Sequence, residues 1–446
     1  MVSLADSQVP SSPSPCSSST RIQRWNGRSM RTIRSNLFQS GRDCYDRSAA
    51  VSENLTDSVI DIRLGELTAG YMESEGNSSR LDAATDLLEL SRDFSDFSSF
   101  NSDISGELQR LATLCDYNSP QCAREGRISL EPESEMADSA EILEMASLED
   151  MEPVVRFCTE TLMSPSSSVE AKCAVASKLR LLAKHRSDFR ELIGSSGAIQ
   201  ALIPLLRSAD PSTQENAVTA LLNLSLEESN KTPITVAGAI KPLVYALRTG
   251  TATAKQNAAC ALLSLSMMED NRITIGVCGA IPPLVSLMVN GSSRGKKDAL
   301  TTLYKLCSSR QNKERAVSAG AVAPLLVLVG ERGGGTAEKA MVVLSSLAAI
   351  EKGRKAIVDE GGIPVLVEAI EDWPARGKEF AVLTLLQLCA DSARNRGLLV
   401  REGAIPPLVA LSQSSSARAK RKAEVLLAYL REPREDVGGN PTEKNK

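Results

Sequence analysis

Few side chains in this 446-residue chain could make or break covalent bonds. There is one histidine, His185, lodged between Lys184 and Arg186 in a segment that reads as an exposed turn. A Ser-His or Cys-His nucleophile pair would have to use it, and a histidine-rich zinc site has nothing to draw on. The ten cysteines contain no Cys-x-x-Cys pair, and Cys173, Cys260, Cys307 and Cys389 fall inside apolar phrases, where cysteine behaves as a small hydrophobe. Gly291-Ser-Ser-Arg-Gly295-Lys296 has the ingredients of a phosphate loop. It has three intervening residues rather than four, and Lys297 follows where a Ser or Thr is needed. The glycine run Gly333–Gly335 reads as a connection, and no pair of carboxylates stands in the setting of a pocket. The expectation is a chain that is not an enzyme, with no metal and no cofactor.

The remaining chemistry is non-covalent, and its residues recur at a fixed step. Asn216, Thr219 and Asn223 are spaced by three and four, which puts them on one face of a helix turning about 100° per residue. Forty-one residues on stand Asn257, Cys260 and Ser264, then Asp298, Thr301 and Lys305, then Lys339, Val342 and Ser346, then Phe380, Leu383 and Gln387; Lys422, Val425 and Tyr429 follow after forty-two. Carboxamides facing an extended backbone offer it a donor and an acceptor, which singles out Asn216, Asn223 and Asn257. Lys305, Lys339 and Lys422, with an apolar stretch around Phe380, Leu383 and Tyr429, suit an acidic or amphipathic partner segment. A second row, Lys255, Lys296, Lys378 and Lys420, is thickened by Arg294, Lys297, Arg376, Arg418 and Arg421, with Gln214 and Ala337 in the other slots. Cations at a helix N-terminus oppose the macrodipole. The row therefore reads either as a basic ridge for acidic, phosphorylated or phosphoinositide ligands or as a face that keeps the chain in solution.

The elements that hold these residues follow from two repeated phrases. Gly197-Ala198-Ile199 returns as Gly238-Ala239-Ile240, Gly279-Ala280-Ile281, Gly320-Ala321-Val322, Gly361-Gly362-Ile363 and Gly403-Ala404-Ile405, at steps of 41, 41, 41, 41 and 42. Ala217, Ala258, Ala299, Ala340, Ala381 and Ala423 begin Leu-rich stretches at the same steps. Such a period predicts stacked helical units around a continuous core, a solenoid. Within a unit, a short helix such as Asn230–Val236 precedes the glycine. Asp188, Asn230, Asn271, Asn312 and Asn395 fit its N-cap, with Gly353 the exception. The glycine breaks the chain in the left-handed region. A second helix carries proline in its first turn, at Pro242, Pro282, Pro324, Pro364 and Pro406. A third, longer helix such as Thr213–Leu226 buries Ala217, Leu221 and Leu224. The fold expected is all-α, a right-handed solenoid of six to seven repeats over 151–433, with a tail at 434–446.

Residues 1–150 are rich in Ser and Asp and read as a mostly disordered N-terminal region. Arg21–Arg42 interleaves arginines with Ile22, Trp25, Ile33, Leu37 and Phe38, either a docking segment or a solvated tail. Over 86–114, Leu90, Phe94, Phe97, Phe100, Ile104, Leu108 and Leu111 recur at three- and four-residue steps, which predicts an amphipathic helix that either caps the solenoid or docks in a partner. Glu131–Glu152 reads as an acidic linker. The net charge of −4 and pI of about 5.5 give no reason to expect nucleic acid as a partner. No apolar run approaches the roughly 20 residues of a membrane span, and membrane association is not expected. The cysteine usage suits a cytosolic or nuclear compartment.

At the level of wording, "AKCAVASKLRLLAKHR" at 171–186, "QENAVTALLNLS" at 214–225, "RGKKDALTTLYKLC" at 294–307 and "EGAIPPLVALSQS" at 402–414 resemble the armadillo region of plant U-box ubiquitin ligases. "FSDFSSFNSDISGELQRLATL" at 94–114 resembles the linker before those repeats. The resemblance implies an armadillo solenoid whose third helices line a concave groove that holds other proteins. A U-box opening such as Phe-x-Cys-Pro-Ile-Ser does not occur in the sequence. The expected function is therefore a non-enzymatic scaffold or adaptor, or alternatively a substrate adaptor or regulator within ubiquitin signalling. Importin-α, also armadillo, clamps basic peptides with Trp and Asn on successive third helices. Here the Trp positions hold Thr219, Cys260, Thr301, Val342 and Leu383, which argues against that role.

Overall fold

The computed structural model describes residues 147–331 and 335–431, apart from the side chain of His185. The segments expected to be a disordered N-terminal region, an amphipathic helix at 86–114 and a tail at 434–446 lie outside the described residues. Within them the chain is an all-α armadillo-repeat solenoid, without a strand. A leading pair, Leu148–Met163 and Val169–His185, precedes six three-helix units. Unit 1 runs through Ser187–Ser195, Ala198–Leu202 with its 3-10 continuation Ile203–Arg207, and Pro211–Ser225. Unit 2 is Glu228–Val236, Ile240–Thr249 and Ala252–Leu265; unit 3 is Glu269–Val277, Ile281–Asn290 and Ser293–Leu306. Unit 4 is Arg310–Ser318, Val322–Gly330 and Gly335–Ala348; unit 5 is Glu351–Asp359, Gly362–Asp372 and Ala375–Cys389; unit 6 is Ala393–Arg401, Ile405–Ser412 and Ala417–Arg431. The leading pair takes in the end of the stretch read as acidic linker. Ser147 caps Leu148–Met163 through the Asp150 N–H, and Glu149 and Asp150 occupy its first turn, where their charge suits the helix dipole.

The six recurring glycines, Gly197, Gly238, Gly279, Gly320, Gly361 and Gly403, all have φ between +73° and +85°. A side chain there would strain the backbone by about 1–2 kcal/mol, which is why the phrase repeats. The prolines sit in the first turn of each second helix from unit 2 on, where no amide N–H is missed. Third helices are capped by side-chain oxygens: Ser168, Asp210, Thr251 and Ser292 accept from the N–H three residues on, at 2.7–3.2 Å.

The asparagines read as N-caps of the first helices are not caps. Asn230 lies inside Glu228–Val236 and is buried; its Nδ2 donates to Leu224 O at 3.2 Å and to Arg190 O at 2.7 Å. Asn271 donates to Leu265 O at 3.0 Å and Thr235 Oγ1 at 3.0 Å, and Asn312 to Leu306 O at 3.0 Å and Arg272 O at 2.7 Å. Asn395 donates to Leu388 O at 2.7 Å. Each carboxamide ties its first helix to the last turn of the preceding third helix, and at Leu224, Leu265 and Leu306 it adds a second donor to a carbonyl that also accepts from the N–H three residues on, at 3.2–3.3 Å. Asp188 instead pairs with Arg186. The partner position 36 residues earlier is cut to fit. A Cβ on Gly194 would lie 1.8 Å from Asn230 Oδ1, and one on Gly276 would lie 1.9 Å from Asn312 Oδ1. Where that earlier position holds Val317, the carboxamide is replaced by Gly353.

Each third helix packs against the third helices of the units before and after it, and the buried side chains from Val155 to Leu427 form one continuous core. Ala217, Leu221 and Leu224 are fully buried, as are their counterparts Ala258, Leu262 and Leu265. Alanine at these contacts lets the helices approach closely, and each buried leucine stabilises by about 1.5–3 kcal/mol. Among the described residues no single helix is long and apolar enough to cross a membrane, and no three His, Cys, Asp or Glu side chains are grouped to hold a metal ion.

Candidate interaction groove

The row anticipated as groove-lining falls on the third helices and comes together as a ladder, with several rungs tied to the one before. Arg180 of the leading pair donates to Asn216 Oδ1 at 2.7 Å, and Asn216 Nδ2 approaches Cys173 Sγ at 3.5 Å. Asn223 Nδ2 donates to Arg180 O at 3.0 Å. Asn257 Nδ2 donates to Thr219 Oγ1 at 2.8 Å, and Lys339 Nζ to Thr301 Oγ1 at 2.9 Å. Lys422 Nζ pairs with Glu379 at 2.7 Å, both largely buried. The Nδ2 donors of Asn216, Asn223 and Asn257, which the sequence offered to a partner's backbone, are thus engaged between units.

Burial divides the row. Asn216, Thr219, Lys305, Lys339 and Tyr429 are partly exposed. Asn223, Asn257, Asp298, Ser346, Phe380 and Gln387 are buried at 3–8% exposure, and Ser264 and Thr301 fall to 0% and 1%. Ser264 donates to Ser225 O at 2.6 Å, Thr301 to Lys297 O at 2.8 Å and Ser346 to Cys307 O at 3.4 Å. Ser264 and Thr301 therefore bond within the stack and present nothing to a ligand. Asp298 faces Arg294 at 3.5 Å. Gln387 Oε1 is buried with no hydrogen-bond partner. Burial, and then the charge of Arg272, hold the Lys305 ammonium below the ordinary lysine range, with Glu269 opposing.

One residue earlier in the period lies a row the helix-face arithmetic passed over: Glu215, Gln256, Lys297, Glu338 and Glu379, all partly exposed, then exposed Arg421. Glu215 accepts from Thr251 Oγ1 at 2.5 Å, Gln256 donates to Ser292 Oγ at 2.5 Å, and Glu338 meets Arg376 at 3.3 Å. The 41-residue step would have found it. Its charge changes along the ladder, acidic at unit 1 and basic at unit 3.

The basic ridge has a different setting from the one expected. Lys378 Nζ donates to Glu371 O at 3.0 Å and Gln214 Nε2 to Leu206 O at 2.9 Å. This register reaches the C-terminal end of the second helix of its own unit, where a cation is favourable. Lys255 and Lys296 are half-buried and Lys420 is exposed. Of the apolar cysteines, Cys260, Cys307 and Cys389 are buried and Cys173 is half-buried; burial pushes the Cys307 and Cys389 thiols up to about 12. Gly295, in the phrase resembling a phosphate loop, is buried against Gln256 and Leu287, and Ser292 there is a helix cap.

Residues 154–436 match the family model described as the plant U-box protein ARM repeat region. Over 82 residues the chain is 50% identical to U-box domain-containing protein 4 of Arabidopsis thaliana, covering 18% of this chain and 10% of that protein. Over 63 residues it is 51% identical to E3 ubiquitin-protein ligase SPL11 of Oryza sativa subsp. japonica, covering 14% and 9%. The match thus spans about a tenth of these relatives' length. Among solved structures, an engineered protein aligns over 73% of this chain and 79% of its own, at 22% identity and a TM-score of 0.57, a likeness of fold.

Proposed function

The chain belongs to the plant U-box protein ARM repeat family, and from that premise we propose that its third-helix ladder binds an acidic or amphipathic segment of another protein. The chain then acts as a scaffold or adaptor, without catalysis of its own. Armadillo solenoids are in general protein-interaction folds. The observation that carries the reading is the run of partly exposed cations over units 3 and 4, Lys297, Lys305 and Lys339. Lys305 is half-buried beside the like charge of Arg272. A partner carboxylate there gains more than it would at a fully solvated lysine, because the local dielectric is lower. Partly exposed Val425 and Tyr429 suit the non-polar face of the same segment, while Phe380 and Leu383 are buried in the stack.

The test uses the full chain and a labelled acidic peptide, with a basic peptide of equal length as control. Lys305→Glu together with Lys339→Glu is expected to weaken the acidic peptide roughly 10-fold or more, at about 1 kcal/mol or more for each close charge pair, with helicity unchanged. Equal affinity for both peptides, or unchanged binding by the variant, removes the ladder from the reading.

The matched relatives include a protein named as a ubiquitin ligase, which favours a second reading: a substrate adaptor or regulator in ubiquitin signalling. Recovery of a U-box ligase with the tagged full chain supports it; modification of a substrate by the purified chain with a conjugating enzyme alone replaces both readings with a ligase. The cysteine usage supports a cytosolic or nuclear setting, which imaging of the tagged chain checks.

A further inference from the structure

An interior unit of a solenoid is covered on both flanks, the first on one only, so a terminal unit needs a polar outer face or a cover. The flank that turns toward a preceding unit is identifiable here. Ala220, Ala261, Thr302, Val343 and Thr384 share one register of the third helices and are all buried. Thr302 Oγ1, which donates to Asp298 O of its own helix at 2.7 Å, also lies 3.2 Å from Ala259 O of the preceding third helix, which fixes the direction of that register. Counting from the helix caps Ser168 and Asp210, the leading pair holds the register with Lys178, and Lys178 is exposed. Leu148–Met163 packs directly against the helix of Lys178, so the outer surface of the leading pair extends onto it. On that helix Phe157 is 64% exposed, one turn from partly exposed Val154. Met163 at the helix end is 57% exposed and Val169, opening the next helix, 52%. A half-polar flank is what an outermost helix requires; a phenylalanine in water is not.

We propose that residues 86–111 of the same chain cover this flank, with Phe94, Phe97 and Phe100 seated against Phe157 and Val154. Three observations point to that occupant. Leu90, Phe94, Phe97, Phe100, Ile104, Leu108 and Leu111 keep steps of three and four, which gives one apolar face about 20 residues long, enough to lie along the 16-residue helix Leu148–Met163. The segment carries six acids against two arginines, and the flank it would meet carries exposed Lys178 on the leading third helix. Thirty-five residues, 112–146, separate segment and helix. Even taken as a coil they span roughly 30–35 Å, against about 24 Å for the helix, and the connection keeps the segment at an effective concentration in the millimolar range. A weak contact suffices on those terms. The inference does not depend on what the third-helix ladder binds.

The experiment places a photoreactive benzoylphenylalanine at Phe157 in the full chain and maps its cross-links by mass spectrometry. Cross-links within one chain, falling in residues 86–111, are expected. In the variant Phe94→Asp/Phe97→Asp/Phe100→Asp, whose changes precede the six units in sequence, those cross-links should be lost, and amide exchange of Leu148–Met163 should quicken several-fold with the helicity of units 1 to 6 unchanged. Cross-links that appear only at the mass of two chains assign the flank to a second copy and overturn the proposal. So do cross-links to other segments, no cross-link at all, or cross-links and exchange that ignore the triple substitution.

Discussion

The pairing of Gly276 with Asn312 gives a double-mutant cycle whose sign is fixed by geometry. Asn312 is fully buried. Its carboxamide donates to Arg272 O at 2.7 Å and Leu306 O at 3.0 Å and accepts from Arg315 at 2.9 Å. Asn312→Ala removes both donor bonds and the acceptor of Arg315, while Leu306 O keeps the Ser309 N–H at 3.3 Å, so the cost is about 1–3 kcal/mol. Gly276→Ala in the native background puts a Cβ 1.9 Å from Oδ1, so the carboxamide must leave its place, costing about 1–3 kcal/mol. The three atoms nearest that Cβ all belong to Asn312, and Gly276 has no positive φ. Once Asn312 is alanine the obstruction is gone, and Gly276→Ala should stabilise, by up to ~0.8 kcal/mol from helix propensity. The two changes should therefore miss additivity by about 2 kcal/mol or more. Because a repeat array need not unfold in one step, the measurement is native-state amide exchange in units 3 and 4, with urea melting alongside. Additivity within about 0.5 kcal/mol, the behaviour of independent sites, or destabilisation by Gly276→Ala in both backgrounds, would refute the steric account of the pair.

Three further outcomes follow from the coordinates. At Gly279, φ is +85° and nothing lies within 4 Å of an added Cβ, so Gly279→Ala should cost the backbone term alone, about 1–2 kcal/mol by chemical melting; a loss above ~3 kcal/mol would mean a packing role unseen here. Lys422→Ala strands the mostly buried carboxylate of Glu379 and should cost about 3–5 kcal/mol, whereas Lys422→Met with Glu379→Gln should restore most of it; equal melting of the single and double variants would show that the pair is not coupled. Burial holds the Cys307 and Cys389 thiols near 12, so both stay protonated at pH 8 and should resist iodoacetamide in the folded chain while half-buried Cys173 and Cys278 react; labelling of Cys307 first, read by peptide mass, would contradict this.

The glycine phrase was legible because one residue type alone meets its conformational demand, and the prolines because a helix's first turn needs no N–H from them. Asn230, Asn271, Asn312 and Asn395 were legible as a recurring position but not as to role. Capping is a local rule, while Asn230 and Asn312 each reach an acceptor 40 residues away, which no window of sequence contains. The helix-face arithmetic erred in another way at Ser264 and Thr301. It assumes one buried face and one wet face, but a third helix flanked by two neighbours keeps only a strip in water. Asn257 to Ser266 is buried without a break. The absence of any charged residue in that stretch was the signal. The lysine register opposes the dipole of its own helix, but Lys378 answers to the end of the helix before it, which a rule confined to one helix does not contain.

The carboxamide missing at Gly353 sets a direction of failure. Units 2, 3, 4 and 6 each pin their first helix to the previous unit's last turn through an asparagine, whereas unit 5 has in its place only the long contact of Arg354 Nη1 to Ala348 O at 3.5 Å. An asparagine cannot simply be restored, since a Cβ at position 353 would lie 2.0 Å from Leu347 O. Under tension or in mild denaturant the chain should part at this seam. Units 5 and 6 would peel away together and the four units before them would hold, so that graded loss of structure begins from the C-terminal side.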